Sequence, residues 1–303
     1  TGEYITTSSK LQVGHPPGAP LYQMLGAIFS VFAIDKENIG FTMNLMSGFS
    51  SALTIAFMYW SIVLILLKII STDKFTLNRQ LAISGAGLVG ALSFSFTDSF
   101  WFNAVEAEVY AMATLIMSIL FYLGLRWEAD MNKPRGNKWL LLICFVIGLS
   151  FGVHFMGLLT IPAIVLIFYF KNQKTIQSSL KINSLYGFLF ANILGLLILM
   201  GIFKLILPYT LKFFSMIELL FVNNFNLPFN SGSIAAFIII ALSFYYLLNY
   251  TAKKNLVTLN TLVLCFLFIF IGFSSWLILP IRSNANVVVK KNNPSNAREL
   301  LAY

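Results

Sequence analysis

Carboxylates and imidazoles in a polar, proline-stiffened stretch are the part of this chain best suited to chemistry. Gly2–Pro20 reads GEYITTSSKLQVGHPPGAP and holds Glu3 and His15 together with Pro16, Pro17 and Pro20. A carboxylate within hydrogen-bond reach of a hydroxyl can accept its proton, and an imidazole can donate, accept or ligate. The prolines fix φ and push each preceding residue to extended geometry. His15–Pro20 is therefore expected to be a rigid elbow, with Pro20 opening a helix. A simple membrane-entry turn would use the same residues. A second segment, Thr97–Val109, holds Asp98, Glu106 and Glu108 without a Lys or Arg. His154 and Glu218 interrupt apolar surroundings, and Arg282 follows Leu277–Ile281 directly. Glu3, Asp98, Glu106 and His15 have the oxygen and imidazole donors a divalent cation takes, although nothing in the spacing assigns one. Arg282 or a protonated His154 has the charge to bind a phosphate.

The elements that position these groups are membrane helices. Charged residues make up 10% of the 303-residue chain, against about 25% in a soluble domain. The chain is 58% hydrophobic and 16% aromatic, with mean hydropathy +0.82. In a soluble protein the net charge of +9 would suggest nucleic acid. Here it is explained by Lys and Arg in cytoplasmic loops meeting anionic lipid, and no nucleic-acid partner is expected. Cys144 and Cys265 sit inside apolar runs and read as small core residues, without a disulfide or metal pattern. The first residues lack a basic, apolar leader, and the chain opens in what reads as a loop, so a helix is expected upstream.

Leu21–Ile34 is apolar but short for a core of about 30 Å, and is expected to be an interfacial helix in the first outer loop. Eight spans follow: Phe41–Ile70, Leu81–Phe96, Ala107–Leu125, Trp139–Val153, Phe155–Phe170, Ser184–Leu207, Ile234–Tyr250 and Leu256–Leu279. Lys68, Lys74 and Arg79 follow the first span, and Arg126, Lys133, Arg135 and Lys138 the third. Lys171, Lys174 and Lys181 follow the fifth, and Lys253 and Lys254 the seventh. Every second loop is basic, which sets those loops inside. Trp139–Phe170 as one helix would leave basic loops on opposite sides, so it divides at His154, where Gly148, Gly152 and Gly157 allow close packing or a turn. Glu3, His15, Asp98, Glu106, Glu108, His154, Glu218 and Arg282 then fall outside, while Asp73, Glu128 and Asp130 fall inside.

Each residue has a plainer reading. Glu106 and Glu108 suit a helix start as solvated acids. Trp101 and Tyr110 suit the interfacial aromatic belt better than a sugar platform. His154 suits helix packing, Glu218 suits snorkelling among Phe213, Phe214, Leu219 and Phe221, and Lys10 suits a solvated loop. The one-sided clustering says more than any single residue.

The runs GEYITTSSKLQVGHPPGAPLYQML, FWFNAVEAEVYAM, GLSFGVHFMGLLTIPA and LPIRSNAN resemble a bacterial membrane-protein family long catalogued as a domain of unknown function. That family is similar to the transmembrane protein O-mannosyltransferases of the GT-C glycosyltransferase superfamily. The resemblance implies an all-α GT-C-like fold, working outside the bacterial inner membrane. It implies transfer of a mannose-like sugar from a polyprenyl phosphate to a protein Ser/Thr or glycan acceptor. The family's loop resembles Asp-x-Gly-Glu followed by His-Pro-Pro-Gly; Gly2, Glu3 and His15–Gly18 match, while the Asp would precede Thr1. The resemblance makes that Asp the stronger candidate for the catalytic carboxylate; among the residues of this chain, Glu3 is the expected catalytic one. His15, Asp98, Glu106, Glu108, His154 and Arg282 are the expected substrate-binding residues. Residues 1–281 are expected to form the membrane domain. Arg282–Tyr303, polar and rich in Asn, is expected to open an extracytoplasmic domain. A transporter or lipid flippase, or a non-catalytic membrane subunit, would also use eight spans, but a transporter should carry ionisable groups near the midplane.

Overall fold

A computed structural model of the chain describes residues 1–70, 76–181 and 183–303. Asp73 and Lys74, expected in an inner loop, lie outside the described residues. The described residues form helices, with no strand beyond one isolated bridge between Val13 and Lys290.

Two short helices, α1 (Gly2–Ser9) and α2 (Pro20–Ser30), precede the first long one, α3 (Ile39–Ile69). There follow α4 (Leu77–Ser95), α5 (Asp98–Ala104), α6 (Val109–Asp130) and α7 (Asn137–Ser150). A 3₁₀ segment, Phe155–Thr160, leads into α8 (Ile161–Lys171) and then α9 (Gln173–Leu180). Next come α10 (Ser184–Gly201), α11 (Leu207–Leu219), α12 (Ser231–Lys253) and α13 (Val257–Phe273). The tail carries α14 (Ile278–Ser283) and α15 (Ala297–Ala302).

Five helical stretches are long and apolar enough to cross a membrane, or up to seven if each of two sharply bent pairs counts as one. The chain is thus a multi-pass membrane protein. Of the eight spans expected, Trp139–Val153 is the short one: α7 has 14 residues, about 21 Å at 1.5 Å per residue. The bent pairs are α4 with α5, at 73°, and Phe155–Lys171 with α9, at 81°.

The expected break at His154 is present, with α7 stopping at Ser150 and the next helical residue at Phe155. The C-terminal half of α7 packs backbone-on-backbone against α13. A Cβ on Gly148 would overlap the Ile269 carbonyl oxygen, and one on Gly272 that of Phe145. Close approach of this kind is how membrane helices associate when apolar burial no longer separates protein from lipid. On α3, Ser50 and Thr54 are buried and return their hydroxyls to Met46 and Ser50 carbonyls.

One expectation is corrected. The span expected over Ser184–Leu207 does not end there, because helix runs unbroken from Ser184 to Asn224 over 41 residues. Two π turns, Ile202–Ile206 and Leu220–Asn224, interrupt its register. The first immediately precedes Pro208, whose missing N–H and ring a regular turn would not accommodate. At about 61 Å this helix is roughly twice the hydrocarbon thickness.

Candidate active site

The His15–Pro20 elbow is organised by its own backbone. Gly18 N–H donates to the His15 carbonyl at 2.8 Å. Gly18 has φ +77°, and a Cβ there would stand 2.8 Å from the Tyr303 hydroxyl, so both conformation and space require glycine. Pro20 opens α2, as expected. The next two N–H groups, of Leu21 and Tyr22, donate to the Gly152 carbonyl at 2.8 and 3.1 Å. Helix α2 is thereby pinned to the turn that carries His154.

Glu3 and His15 meet. The His15 main-chain N–H donates to Glu3 Oε1 at 2.7 Å, and Nδ1 lies 2.9 Å from Oε2. An ionised carboxylate only accepts, so the proton sits on Nδ1, and in the neutral ring Nε2 is left as an acceptor. Partial burial pulls the Glu3 carboxyl upward. The His15 N–H, the imidazole and the Lys291 charge outweigh it and leave the group below the ordinary glutamate value. The Glu3 side chain remains 37% exposed.

Around this pair stand groups that the sequence does not single out. The Tyr4 ring lies 6.0 Å from that of His15 and 5.2 Å from that of Tyr22, edge to face. Burial, then the charges of Glu108 and Glu3, push the Tyr4 hydroxyl up to about 12. The Tyr303 hydroxyl donates to the Gly14 carbonyl at 2.6 Å, and burial raises it well above the usual tyrosine range. Gln23 Nε2 donates to Thr7 Oγ1 at 3.2 Å, tying α2 to α1. Tyr4 stands next to Glu3 in the sequence, whereas nothing local points to Tyr303.

The other expected residues divide. Glu108, just before α6, faces the start of α1: the Thr1 backbone nitrogen lies against Oε1, and Thr1 Oγ1 donates to it at 3.2 Å. An acid there is favoured by the positive end of a helix. His154 joins indirectly, through Tyr110, with ring centroids 5.4 Å apart. Its Nδ1 accepts the Met156 N–H at 3.1 Å, capping the 3₁₀ segment, and burial holds the imidazole below its usual value. A protonated His154 serving a phosphate runs against both observations. Asp98 is exposed in the first turn of α5, and Glu106 lies in the turn before Glu108; neither has a side-chain contact with Glu3 or His15 among the described residues. The four-residue cation set therefore does not assemble, and no three His, Cys, Asp or Glu converge among the described residues.

Arg282 faces the first loop rather than open space. Its Nε donates to the Leu11 carbonyl at 2.6 Å and its NH2 group to that of Lys10 at 3.1 Å. The tail beyond it pairs with the same loop. Val13 N–H donates to the Val289 carbonyl and Lys291 N–H to that of Val13, both at 3.0 Å. Val289 N–H donates to Gln12 Oε1 at 2.9 Å. Arg282–Tyr303, expected to open a further domain, here folds back on residues 10–18. Glu218 does not snorkel: it is buried and accepts from Asn230 N, Ser233 N and Ser233 Oγ at 2.5, 2.7 and 2.9 Å. It caps α12.

Residues 1–177 match a family model described as the protein O-mannosyl-transferase TMEM260 N-terminal domain. Two relatives carry the same description. Protein O-mannosyl-transferase TMEM260 of Mus musculus is 25% identical over 190 residues, covering 62% of this chain and 25% of that protein. Protein O-mannosyl-transferase tmem260 of Dictyostelium discoideum is 27% identical over 124 residues, covering 41% of this chain and 13% of that protein. The chain thus spans a quarter or less of these relatives' length. No solved structure matches.

Proposed function

Since the chain belongs to the family of the protein O-mannosyl-transferase TMEM260 N-terminal domain, we propose that it is a membrane glycosyltransferase of GT-C type. It transfers a mannose-like sugar from a polyprenyl phosphate to a protein Ser/Thr or glycan hydroxyl on the extracytoplasmic face. The setting we propose is a bacterial inner membrane, with residues 1–281 as the membrane domain and an extracytoplasmic domain opening at 282.

The observation that carries the reading is the Glu3–His15 pair. Glu3 is ionised, partly exposed and held from one side by His15, so its free lone pairs can take the proton of an acceptor hydroxyl. His15 orients that carboxylate, and Tyr4 and Glu108 complete the wall behind it. Asp98, exposed at the start of α5, and Glu106, half-buried in the turn before α6, are suited to acceptor contacts.

A lipid-carried donor is supported by an apolar groove of about 680 Å³. It is walled by Phe214 of α11, Phe237 and Phe244 of α12, and Phe270 of α13, with Ala297 and Leu300 of α15 on its border. Tyr303 follows that short helix directly and donates to the Gly14 carbonyl beside Glu3. A prenyl chain in that groove would bring its phosphate toward the carboxylate.

The test is transfer by the full chain in lipid vesicles. It is given a polyprenyl-phosphate mannose or a nucleotide-linked mannose, with a Ser/Thr peptide as acceptor. Transfer from the lipid donor alone is expected. Transfer from the nucleotide sugar alone, or none from either, would overturn the reading.

A further inference from the structure

We propose that Lys291 is the residue that binds the phosphate of the lipid-linked donor and stabilises it as it leaves. This rests on the glycosyl-transfer reading above.

Sequence separation hides the pairing, since Lys291 lies 276 positions after His15. The bridge between Val13 and Lys290 removes that distance. Lys291 N–H is fixed to the Val13 carbonyl at 3.0 Å. One residue further on, a Cβ on Gly14 would lie 3.4 Å from Glu3 Oε1. The Lys291 side chain is exposed and makes no ion pair among the described residues, yet its charge acts on Glu3. Arg282, another cation of this segment, already has its donors on the Leu11 and Lys10 carbonyls, and neither Lys290 nor Arg298 is among the charges that act on Glu3. His154 is neutral and occupied as a cap. Lys10 is exposed but is not among the charges felt by Glu3.

The chemistry requires a cation there. The acceptor oxygen forms a bond to the anomeric carbon, and its proton passes to Glu3. The bond from that carbon to the phosphate oxygen breaks, its electron pair staying on the oxygen. The diester monoanion becomes a monoester dianion, so a nearby ammonium gains attraction as the transition state is approached. A lysine on a flexible stem can serve as such a point charge.

The experiment measures binding of citronellyl phosphate and of citronellol, its alcohol, to the full chain in nanodiscs. Wild type is expected to prefer the phosphate. Lys291→Met should weaken the phosphate about tenfold and leave the alcohol unchanged, as loss of a charge-assisted contact does. Lys291→Arg should hold most of the affinity, and Lys10→Met all of it. Because the Lys291 side chain is exposed, folding should survive; a matched melting profile checks it, and the Arg variant gives a second reading if Met fails. If Lys291→Met binds the phosphate as wild type does, the assignment of Lys291 falls while the lipid-phosphate reading stands. If wild type does not prefer phosphate to alcohol, both fall.

Discussion

The two ends of this helical bundle treat their carboxylates differently. At the basic end Glu128 is met by two lysines, Lys68 and Lys171, the latter at 3.1 Å. Asp130 takes Lys133 and the Trp139 indole N–H, both at 2.8 Å, and Arg126 and Lys138 lie over the Trp139 ring at 4.9 Å. At the other end Glu3 has no Lys or Arg partner within ion-pair distance among the described residues. It is fixed by an N–H and an imidazole, and it stays 37% exposed where Glu128 is 17%. The first arrangement neutralises charge where α3, α6 and α8 end. The second keeps a carboxylate ionised, oriented and reachable, which is what a hydroxyl acceptor needs.

That contrast predicts unequal responses to the same isosteric change. Glu3→Gln removes the proton acceptor and is expected to lower transfer at least about a hundredfold, with protein level unchanged; immunodetection beside a transfer assay reads both. Arg282→Ala should cost about tenfold, through a loosened loop, with the donor KM little altered and Arg282→Lys recovering part of the rate. A large rise in donor KM would instead make Arg282 a phosphate ligand.

The pH profile sharpens the comparison further. Glu3 must be ionised to act, and its carboxyl titrates below the ordinary 4.5. Activity should therefore be present above that pH and lost as pH falls through the lower, folded-state value. His15→Ala should move this acid limb upward, since the imidazole is one of the groups that depress it. A limb near pH 6 would remove Glu3 as the titrating base. The smallest effect belongs to Glu128→Gln: about 1 kcal/mol of stability or less for a partly exposed ion pair, with transfer within about twofold of wild type.

Much of this was legible in the sequence where local pattern reports local burial. Composition and long apolar runs pointed to the helical class and the span centres, and Gly152 near His154 marked the break that loop charges demanded. Glu3 and His15 were singled out in one polar stretch, but their meeting depends on how α1 packs beside the elbow. Other features depend on partners hundreds of positions away. Nothing local in Arg282 says that it will meet the Leu11 carbonyl, or in Lys291 that it will sit beside Val13. The helix through Pro208 escaped because proline reads as a stop, and a π turn lets the helix continue. Asp98 and Glu106 looked like partners of Glu3 because they fall on the same expected side of the membrane, in a segment without Lys or Arg. Asp98 instead stands exposed at the start of α5, past the 73° bend from α4, and Glu106 lies half-buried in the turn before Glu108.

Glu3 can serve an extracytoplasmic acceptor only if the two ends face opposite sides of the membrane, with Glu3 outside. In a chain lacking Cys144 and Cys265, Lys10→Cys and Arg135→Cys place single thiols at exposed positions of the two ends. A membrane-impermeant maleimide applied to intact cells should label residue 10 and leave residue 135 unlabelled until the membrane is opened. Labelling of residue 135 from outside, with residue 10 protected, would contradict the account.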